Sequence, residues 1–512
     1  MKNLFKSKFI VLSLIISAIL SALLAFLSPI NYWISSLVTM LILFPCILAL
    51  YKGWIWAGGQ KKLGLIIILA FILRLGLGIT LNLTLPEHGY DQEIHNSGYF
   101  FKDAFERDMQ AWEFATSEEP IWTSFHEQLY TDQYGGMLTL SAIIYRYLSP
   151  DAHRSYLLLI LAAFTSAIGI PFFWKGIKER WSLKLAYASV WIMALYPDAL
   201  FYGSGQLREP FLVGMLGIAS WAILTWSNHQ RSKFYALTAS IAGMLLFSSK
   251  IAILLIGFLL VWFLIDRFLP KYQGNQLYLW IGFSVFAVLL LLVSWGWLTD
   301  AAHFDTVTTF EKSGWVNKVI KEVGEEWTYP FIMGYGLAQP ILPAAIAETT
   351  IPIMRMIAIP RAAGWYILAP FLVYGILTTW KAEDKHKRNL LIWLAAFSLF
   401  WLMISSGRAG GDQWDNPRYR SIFIPWLGFL ASWATIKAIE TRDFWLLRLI
   451  LIEAIFVGFF TNWYFSRYFL WWRRLPFWTN VIWIVSLSAI VLSSGILWDL
   501  GKFLIGRKKS ND

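Results

Sequence analysis

Long apolar runs alternate with short polar or Gly/Pro-rich breaks along the 512 residues of the chain. A helix that crosses a bilayer needs about 20 mostly apolar residues, and the pattern predicts about 14 of them. They lie near residues 9–27, 34–51, 63–83, 156–174, 183–200, 209–227, 234–248, 251–266, 277–298, 356–380, 389–405, 421–439, 444–462 and 478–498. Only Ser248, Ser249 and Lys250 interrupt 234–266, so that run forms one span or two. The pattern therefore predicts an all-α polytopic membrane protein.

Lys and Arg in short loops predict the orientation, because such loops stay on the cytoplasmic side. With the N-terminus inside, every predicted inside segment carries at least one basic residue. Both termini are then cytoplasmic, and two long segments, 84–155 and 299–355, lie outside. We expect a multi-pass protein of the cell (inner) membrane with its chemistry on the extracytoplasmic face.

Composition supports this interpretation. Hydrophobic residues make up 57% of the chain and charged residues 15%, against about 25% charged in soluble domains. The net charge of +11 follows from the basic inner loops, so it does not indicate nucleic-acid binding. The single cysteine, Cys46, excludes an intramolecular disulfide and a cysteine-based zinc site.

The first external segment, 84–155, is unusually rich in titratable groups. It holds 12 acidic and 4 basic residues and 4 of the 7 histidines. Titratable side chains concentrated beside apolar spans indicate a site of chemistry. The alternative is that the loop is acidic only because basic residues are retained inside.

One acid in this segment lies in an apolar stripe. Residues 99–115 read as an amphipathic helix, whose stripe comprises Phe101, Ala104, Phe105, Asp108, Ala111, Trp112 and Ala115. A carboxylate on that face is desolvated unless it is partnered. Asp108 is therefore either functional or one half of an ion pair with an arginine of a membrane helix.

Two further sets of polar residues are weaker candidates. His88, Asp91, Glu93 and His95 form a cluster that could bind a divalent cation, although their spacing matches no strong metal signature and a solvated loop explains them too. Outward-facing arginines oppose the charge rule and match the geometry of a phosphate. Interhelical ion pairs explain them equally well. These arginines are Arg208, which precedes Glu209, and Arg355, Arg361, Arg418 and Arg420.

The order of these features resembles the GT-C membrane glycosyltransferases, and within them the bacterial family 39 and protein-mannosyltransferase-like group. The features are ILRLGLG at 72–78, the Asp-bearing helix, LREPFL at 207–212 and a second long external loop, and they cover residues 63–430. Asp108, Trp112 and Ala115 fit the first-loop pattern of that superfamily, with Met109 where a second acid is frequent. The absence of a WWDYG motif counts against an oligosaccharyltransferase.

The resemblance implies an organisation for the whole chain. It comprises an N-terminal hairpin (1–62), a GT-C-like catalytic core (63–298), the second external loop (299–355) and C-terminal membrane helices (356–512). Both long external loops are expected to carry amphipathic helices.

The resemblance also implies an activity. A sugar would pass from a polyprenyl-phosphate-linked donor to a glycan, lipid or protein acceptor. Asp108 would be the general base, and Asp91 is the second candidate for that role. Arg208, Glu209, Arg355, Arg361, Arg418, Arg420 and Trp112 would bind the donor phosphate or the substrate. A divalent cation is possible but not implied.

Two other functions are compatible with the same sequence. A transporter or flippase of a lipid-linked substrate would use buried charges such as Arg74 and Asp108 without chemistry, and internal repeats would favour it. A ligase or polymerase for surface polysaccharide would share the lipid-linked donor and differ in transferring whole glycan chains.

Overall fold

The computed structural model describes residues 2–28, 30–125, 134–226, 230–271, 321–322, 324–347, 350–409 and 413–509, together with Gly282 and Val285. Within these ranges every regular element is helical. Apart from Gly282 and Val285, the predicted span 277–298 lies outside the described residues, and so does the part of the predicted external segment that covers 299–320.

Eight helices of the described chain are long and apolar enough to cross a membrane. They cover Tyr32–Ala57, Lys61–His88, Tyr156–Arg180, Arg231–Arg267, Pro352–Lys381, Lys385–Arg408, Trp445–Tyr468 and Phe477–Lys502. The pair Asp415–Ile422 and Ile424–Thr441 passes the same test together but bends by 75°. Phe9–Ala25, Leu183–Leu195 and Glu209–Leu224 are shorter apolar helices. The chain is thus an α-helical protein with the composition and helix lengths of a polytopic membrane protein.

The described chain divides into two compact units, the first comprising residues 1–296 and 418–428, the second 297–417 and 429–512. The first unit contains α1 (Lys2–Ala25), α2 (Tyr32–Ala57), α3 (Lys61–His88), α4 (Glu93–Asn96), α5 (Lys102–Thr116), α6 (Gly136–Ile143), α7 (Tyr156–Arg180), α8 (Leu183–Leu195), α9 (Pro197–Gly203), α10 (Glu209–Leu224) and α11 (Gln230–Arg267). A short π-helix, Ile144–Leu148, continues α6.

Helices α7 and α10 pack with their backbones unusually close. A Cβ atom added at Gly214 would lie 1.9 Å from the carbonyl oxygen of Thr165, and one at Gly169 would lie 2.8 Å from that of Gly214. Small residues allow such close approach between membrane helices. Glycine at these positions is therefore what brings the two central helices of the first unit together.

Helix α11 breaks at Ser248, whose φ of −163° and ψ of 90° are not helical. The half before the break runs antiparallel to α10, because Phe247 stacks on Phe211 near the start of α10. At the other end of the same half, Lys233 reaches the carbonyl oxygen of Thr225 just beyond the end of α10.

The second half of α11 returns to the same end of the unit. Asp266 near its C-terminus pairs with Arg180 at the end of α7, and Lys233 is close enough to Glu179 and Arg267 to interact with their charges. The two halves of α11 therefore form a hairpin whose bend lies at Ser248.

Arg74 in the middle of α3 is completely buried within the bundle. Its guanidinium donates to the carbonyl oxygens of Met193 at 2.9 Å and Ala194 at 3.1 Å in the last turn of α8, and to that of Ala70 at 3.0 Å. A cation at a helix C-terminus satisfies carbonyls that the helix leaves unpaired. Arg74 thus has a structural role in joining α3 to α8.

The second unit contains α12 (Thr328–Ala338), α13 (Leu342–Ala347), α14 (Pro352–Thr378), α15 (Lys385–Ala409), α18 (Trp445–Tyr468) and α19 (Phe477–Lys509). Helices α16 (Asp415–Ile422) and α17 (Ile424–Thr441) are shared between the units. A core cluster joins α13 to α18 through Ala347, Trp463 and Tyr464. Only 6% of the apolar windows of α18 and α19 is buried, so both helices present apolar side chains outward.

Candidate active site

Helix α5 carries Asp108, as the apolar stripe predicted. The helix spans Lys102–Thr116, slightly later than the predicted 99–115, and its buried face comprises Ala104, Arg107, Asp108, Ala111, Phe114 and Ala115. Asp108 is only 1% exposed. A carboxylate buried so deeply must be hydrogen-bonded to be tolerated.

Three side chains meet the Asp108 carboxylate. The Tyr145 hydroxyl donates to Oδ1 at 2.5 Å, the Tyr99 hydroxyl donates to Oδ2 at 2.5 Å, and Nε2 of His153 lies 2.8 Å from Oδ2. No arginine pairs with Asp108 among the described residues, so the ion-pair hypothesis is wrong. Neutral phenols and one imidazole partner the carboxylate instead.

Both phenols stay protonated. Burial, and then the negative charge of Asp108, raise the pKa values of Tyr99 and Tyr145 well above that of a free tyrosine. Each hydroxyl therefore keeps its proton and remains a hydrogen-bond donor to Asp108. Together they hold the carboxylate in one orientation towards His153.

His153 is the exposed member of the cluster. Its side chain is 23% exposed, against 1% for Asp108. The imidazole stacks on Trp112 at 5.3 Å and meets Tyr145 edge-on at 4.9 Å. Among the described residues its second nitrogen, Nδ1, has no hydrogen-bond partner. An imidazole can accept a proton when one of its nitrogens is hydrogen-bonded to a buried carboxylate and the other is free. His153 has this arrangement among the described residues.

The loop that presents His153 is fixed by its neighbour. Arg154 is buried and makes two 2.7 Å hydrogen bonds to the Asp151 carboxylate, and it donates to the hydroxyls of Ser149 at 2.7 Å and Ser35 at 2.9 Å. The hydrogen bonds from Arg154 lower the pKa of Asp151. Because Ser35 lies in α2, Arg154 anchors this loop to a membrane helix.

Arg146 fixes the other side of the cluster by capping α5. It donates to the carbonyl oxygens of Phe114 and Ala115 in the last turn of α5, and of Ser117 and Glu119 beyond it, at 2.5–3.1 Å. The last carbonyls of an α-helix would otherwise stay unpaired. Arg146 lies in the π-helix beside Tyr145. Single π-turns often occur at functional sites.

A second group of charges lies one turn earlier on α5. Arg418 contacts Asp103 at 2.8 Å and Glu209 at 2.7 Å, and Arg107 contacts Asp103 at 3.4 Å. Burial opposes ionisation of Asp103, but the cations of Arg418 and Arg107 hold its pKa below the usual range. Glu209 thus pairs with Arg418, which is distant in the sequence, and not with the adjacent Arg208.

Gln206 connects the two groups. Its backbone carbonyl faces Arg107 at 3.4 Å, and its side-chain amide donates to the carbonyl of Ser155 at 2.9 Å, two residues beyond His153. The Asp108 cluster and the arginine group thus form one continuous polar region.

Arg208 makes fewer polar contacts than the other arginines of this region. Its guanidinium lies 5.1 Å from the centre of the Tyr134 ring, and its Nη1 atom is buried without a hydrogen bond. In the part of the chain that the structure describes, it makes no ion pair within 4 Å. A phosphate group would supply the acceptors that Nη1 lacks.

The other arginines that the sequence singled out, Arg420, Arg361 and Arg355, make different contacts. Arg420 pairs with buried Asp198 at 3.7 Å. Arg361 donates to the carbonyl of Gln413 at 3.2 Å and lies 4.6 Å from the Trp414 ring, and both it and Arg355 belong to the second unit.

The predicted cation cluster is not assembled. Nδ1 of His95 accepts a hydrogen bond from the backbone of Tyr90 at 2.9 Å, and burial lowers the pKa of His95. The exposed Asp91 accepts a hydrogen bond from the side chain of Asn96 at 3.2 Å. Among the described residues, no three His, Cys, Asp or Glu side chains lie close enough to hold a metal ion.

Tyr99, Tyr145 and His153 are the site residues that the sequence did not single out. They lie 9, 37 and 45 residues from Asp108. Tyr99 lies in the loop before α5 and not in the helix as predicted, and no helical periodicity links Tyr145 or His153 to Asp108. The concentration of histidines in the loop was the one available signal.

No protein-family model matches the sequence, and no curated protein sequence matches it. The regular elements of the described residues are all helical, and eight of these helices are long and apolar enough to cross a membrane, as in a polytopic membrane protein. The function must therefore be argued from the site.

Proposed function

We propose that this protein is a membrane glycosyltransferase that moves a sugar from a polyprenyl-phosphate-linked donor to an acceptor hydroxyl on the extracytoplasmic face. The observation that carries the proposal is the contact between the buried Asp108 carboxylate and the partly exposed His153 imidazole, beside a group of arginines. General base catalysis needs an oriented proton acceptor that the substrate can reach.

The pair supports a defined proton path. Asp108 accepts the Nε2 proton of His153 in a hydrogen bond, so Nδ1 is free to take the proton from the acceptor hydroxyl. The acceptor oxygen bonds to the anomeric carbon as the bond from that carbon to the phosphate oxygen breaks. Asp108 then stabilises the imidazolium that forms, in the same way as the carboxylate of a catalytic triad. The predicted base thus acts through His153.

The arginine group supports the departure of the lipid phosphate. Three cations, Arg107, Arg208 and Arg418, face two carboxylates, Asp103 and Glu209. One positive charge is left over, and Arg208 is the arginine without an ion pair. A guanidinium aimed at a leaving phosphate stabilises its developing charge. Arg418 would act mainly by holding Asp103 and Glu209 in place.

Trp112 supports a site for the sugar ring. Its indole stacks directly on the imidazole of His153, the proposed proton acceptor. A rigid aromatic surface beside the base would orient the acceptor or donor sugar.

Sugar transfer by the purified chain tests the proposal. The donors are polyprenyl-phosphate-linked hexoses and pentoses, and the readout is glycosylated product and released polyprenyl phosphate. We expect Asp108→Asn and His153→Gln to lose roughly 10²- to 10⁴-fold of the rate, the usual contribution of a general base.

Asp91→Asn is the matched control, because Asp91 is an exposed carboxylate of the same loop. We expect it to keep the wild-type rate. Wild-type rates in both Asp108→Asn and His153→Gln would overturn the proposal, and movement of an intact lipid-linked donor without product would favour a flippase.

A further inference from the structure

A separate cavity lies in the second unit where α14 and α17 end and α18 begins. It encloses about 380 Å³, within the range of about 300–1,000 Å³ that is typical of ligand sites. Its lining comprises Tyr374, Thr378, Lys381, Lys437, Thr441, Arg442, Asp443, Phe444, Trp445, Arg448, Trp498, Asp499 and Lys502. None of these residues takes part in the proposed sugar transfer.

The charge of this cavity is strongly positive. Five basic residues line it against two acidic ones, which leaves a net formal charge of +3. Lys381 contacts Asp443 at 3.5 Å and Lys437 contacts Glu383 at 3.1 Å. The other three cations have no such ion pair in the described chain.

The two carboxylates already have hydrogen-bond donors. Asp443 accepts from the Tyr374 hydroxyl and from the backbone of Trp445, each at 3.0 Å, and Asp499 accepts from the Trp445 indole at 2.7 Å. They hold the start of α18 and the end of α19 in place. Arg442, Arg448 and Lys502 therefore have charge available for an anion.

The surroundings favour a lipid over a free ion. Large apolar side chains beside the cavity are exposed: Leu447 and Leu451 on α18 and Val373 and Leu377 on α14 are 43–60% exposed. Trp445 and Trp498 lie at the cavity itself, as tryptophans do at the headgroup level of a bilayer. Acyl chains could lie along these helices while the headgroup occupies the cavity.

We propose that this cavity binds the phosphate headgroup of an anionic phospholipid. Basic pockets between membrane helices at the cytoplasmic surface bind such headgroups, and the charge pattern of the loops predicts this end of the unit to be cytoplasmic. The lipid bridges α14, α17, α18 and α19, whose residues line the cavity. The site is independent of the sugar-transfer site.

Lipid binding to the purified full chain tests the proposal. Retained lipids are counted by native mass spectrometry after incubation with phosphatidylglycerol, with phosphatidylcholine or with water-soluble glycerol phosphate. We expect retention of phosphatidylglycerol and a rise in thermal stability with that lipid only. Equal stabilisation by glycerol phosphate, or equal retention of phosphatidylcholine, would overturn the proposal.

The variant is Arg442→Gln with Lys502→Gln, because both side chains are exposed and their loss should not disturb folding. A charge near a membrane surface changes the affinity for anionic lipid roughly five-fold, so the double variant should bind about 25-fold more weakly. Arg473→Gln with Arg474→Gln removes the same charge at exposed positions outside the cavity and should bind normally. Equal loss in both double variants would show general attraction to anionic lipid and refute the site.

Discussion

The Oδ2 atom of Asp108 lies 2.8 Å from Nε2 of His153, although the two residues are 45 positions apart. The carboxylate is buried and the imidazole is partly exposed. The two residues therefore have different roles. Asp108 can orient the imidazole and stabilise its charged form, whereas only His153 is exposed enough to contact a substrate. Arg146 and Arg154 make the contact possible by fixing α5 and the loop of His153.

The two phenols should stabilise the protein through Asp108. Tyr145→Phe removes one hydrogen bond to a buried carboxylate, and such bonds are worth about 1.5–3 kcal/mol. We expect this loss in the free energy of unfolding of the purified chain. In an Asp108→Asn background the loss should fall to about 1 kcal/mol, because the partner is no longer charged.

Tyr99→Phe should behave in the same way, since Tyr99 and Tyr145 each donate to one carboxylate oxygen. A double-mutant cycle with Asp108→Asn measures the coupling. Losses of equal size in the two backgrounds would contradict the assigned hydrogen bonds.

Removing Arg418 should destabilise the first unit. Arg418→Met would leave the buried Glu209 carboxylate without its cation, while Asp103 would keep Arg107, and breaking a buried pair costs about 3–5 kcal/mol. Thermal unfolding of the variant measures the effect. Adding Asp103→Asn and Glu209→Gln should restore part of the stability, whereas no recovery would mean that the packing of Arg418 matters more than its charge.

The Asp151 contact should contribute stability that depends on pH. Because Arg154 lowers the pKa of Asp151 in the folded protein, the contribution is complete above the unfolded pKa of about 3.9 and is lost as the pH falls through the folded value. Asp151→Asn should therefore lower the thermal midpoint at pH 7 and approach the wild type below about pH 4. A difference that stays constant down to pH 3 would contradict this linkage.

The hairpin of α11 predicts which side of the membrane its ends face. In a Cys46→Ala background, single cysteines at Arg231 and Phe268 should react with a membrane-impermeant thiol reagent from the same side, and a cysteine at Lys250 from the opposite side. These three positions are exposed. Labelling of Arg231→Cys and Phe268→Cys from opposite sides would show that α11 crosses once.

Much of the fold could be predicted from the sequence because membrane helices depend on local composition. The eight long apolar helices all coincide with predicted spans, since about 20 apolar residues in succession suffice to form one. The periodicity of an amphipathic helix, which is also a local pattern, placed Asp108 on the buried face of α5. The sequence shows the break at Ser248 as a polar interruption of the apolar run. It does not show that the chain reverses there, because no local pattern decides whether a helix continues or turns back.

The site itself depended on contacts between distant segments. Sequence periodicity could select Asp108 but not its partners, because Tyr99, Tyr145 and His153 lie on a loop, a π-helix and a second loop. The arginines show the same limit, since only the packed first unit sets Arg418 between Asp103 and Glu209 and leaves Arg208 with an unbonded Nη1 atom. Apolar length alone determined a helical protein with membrane-like spans, and charge predicted that its acidic loop is external. Side-chain packing between distant residues decided which of its charges contact one another.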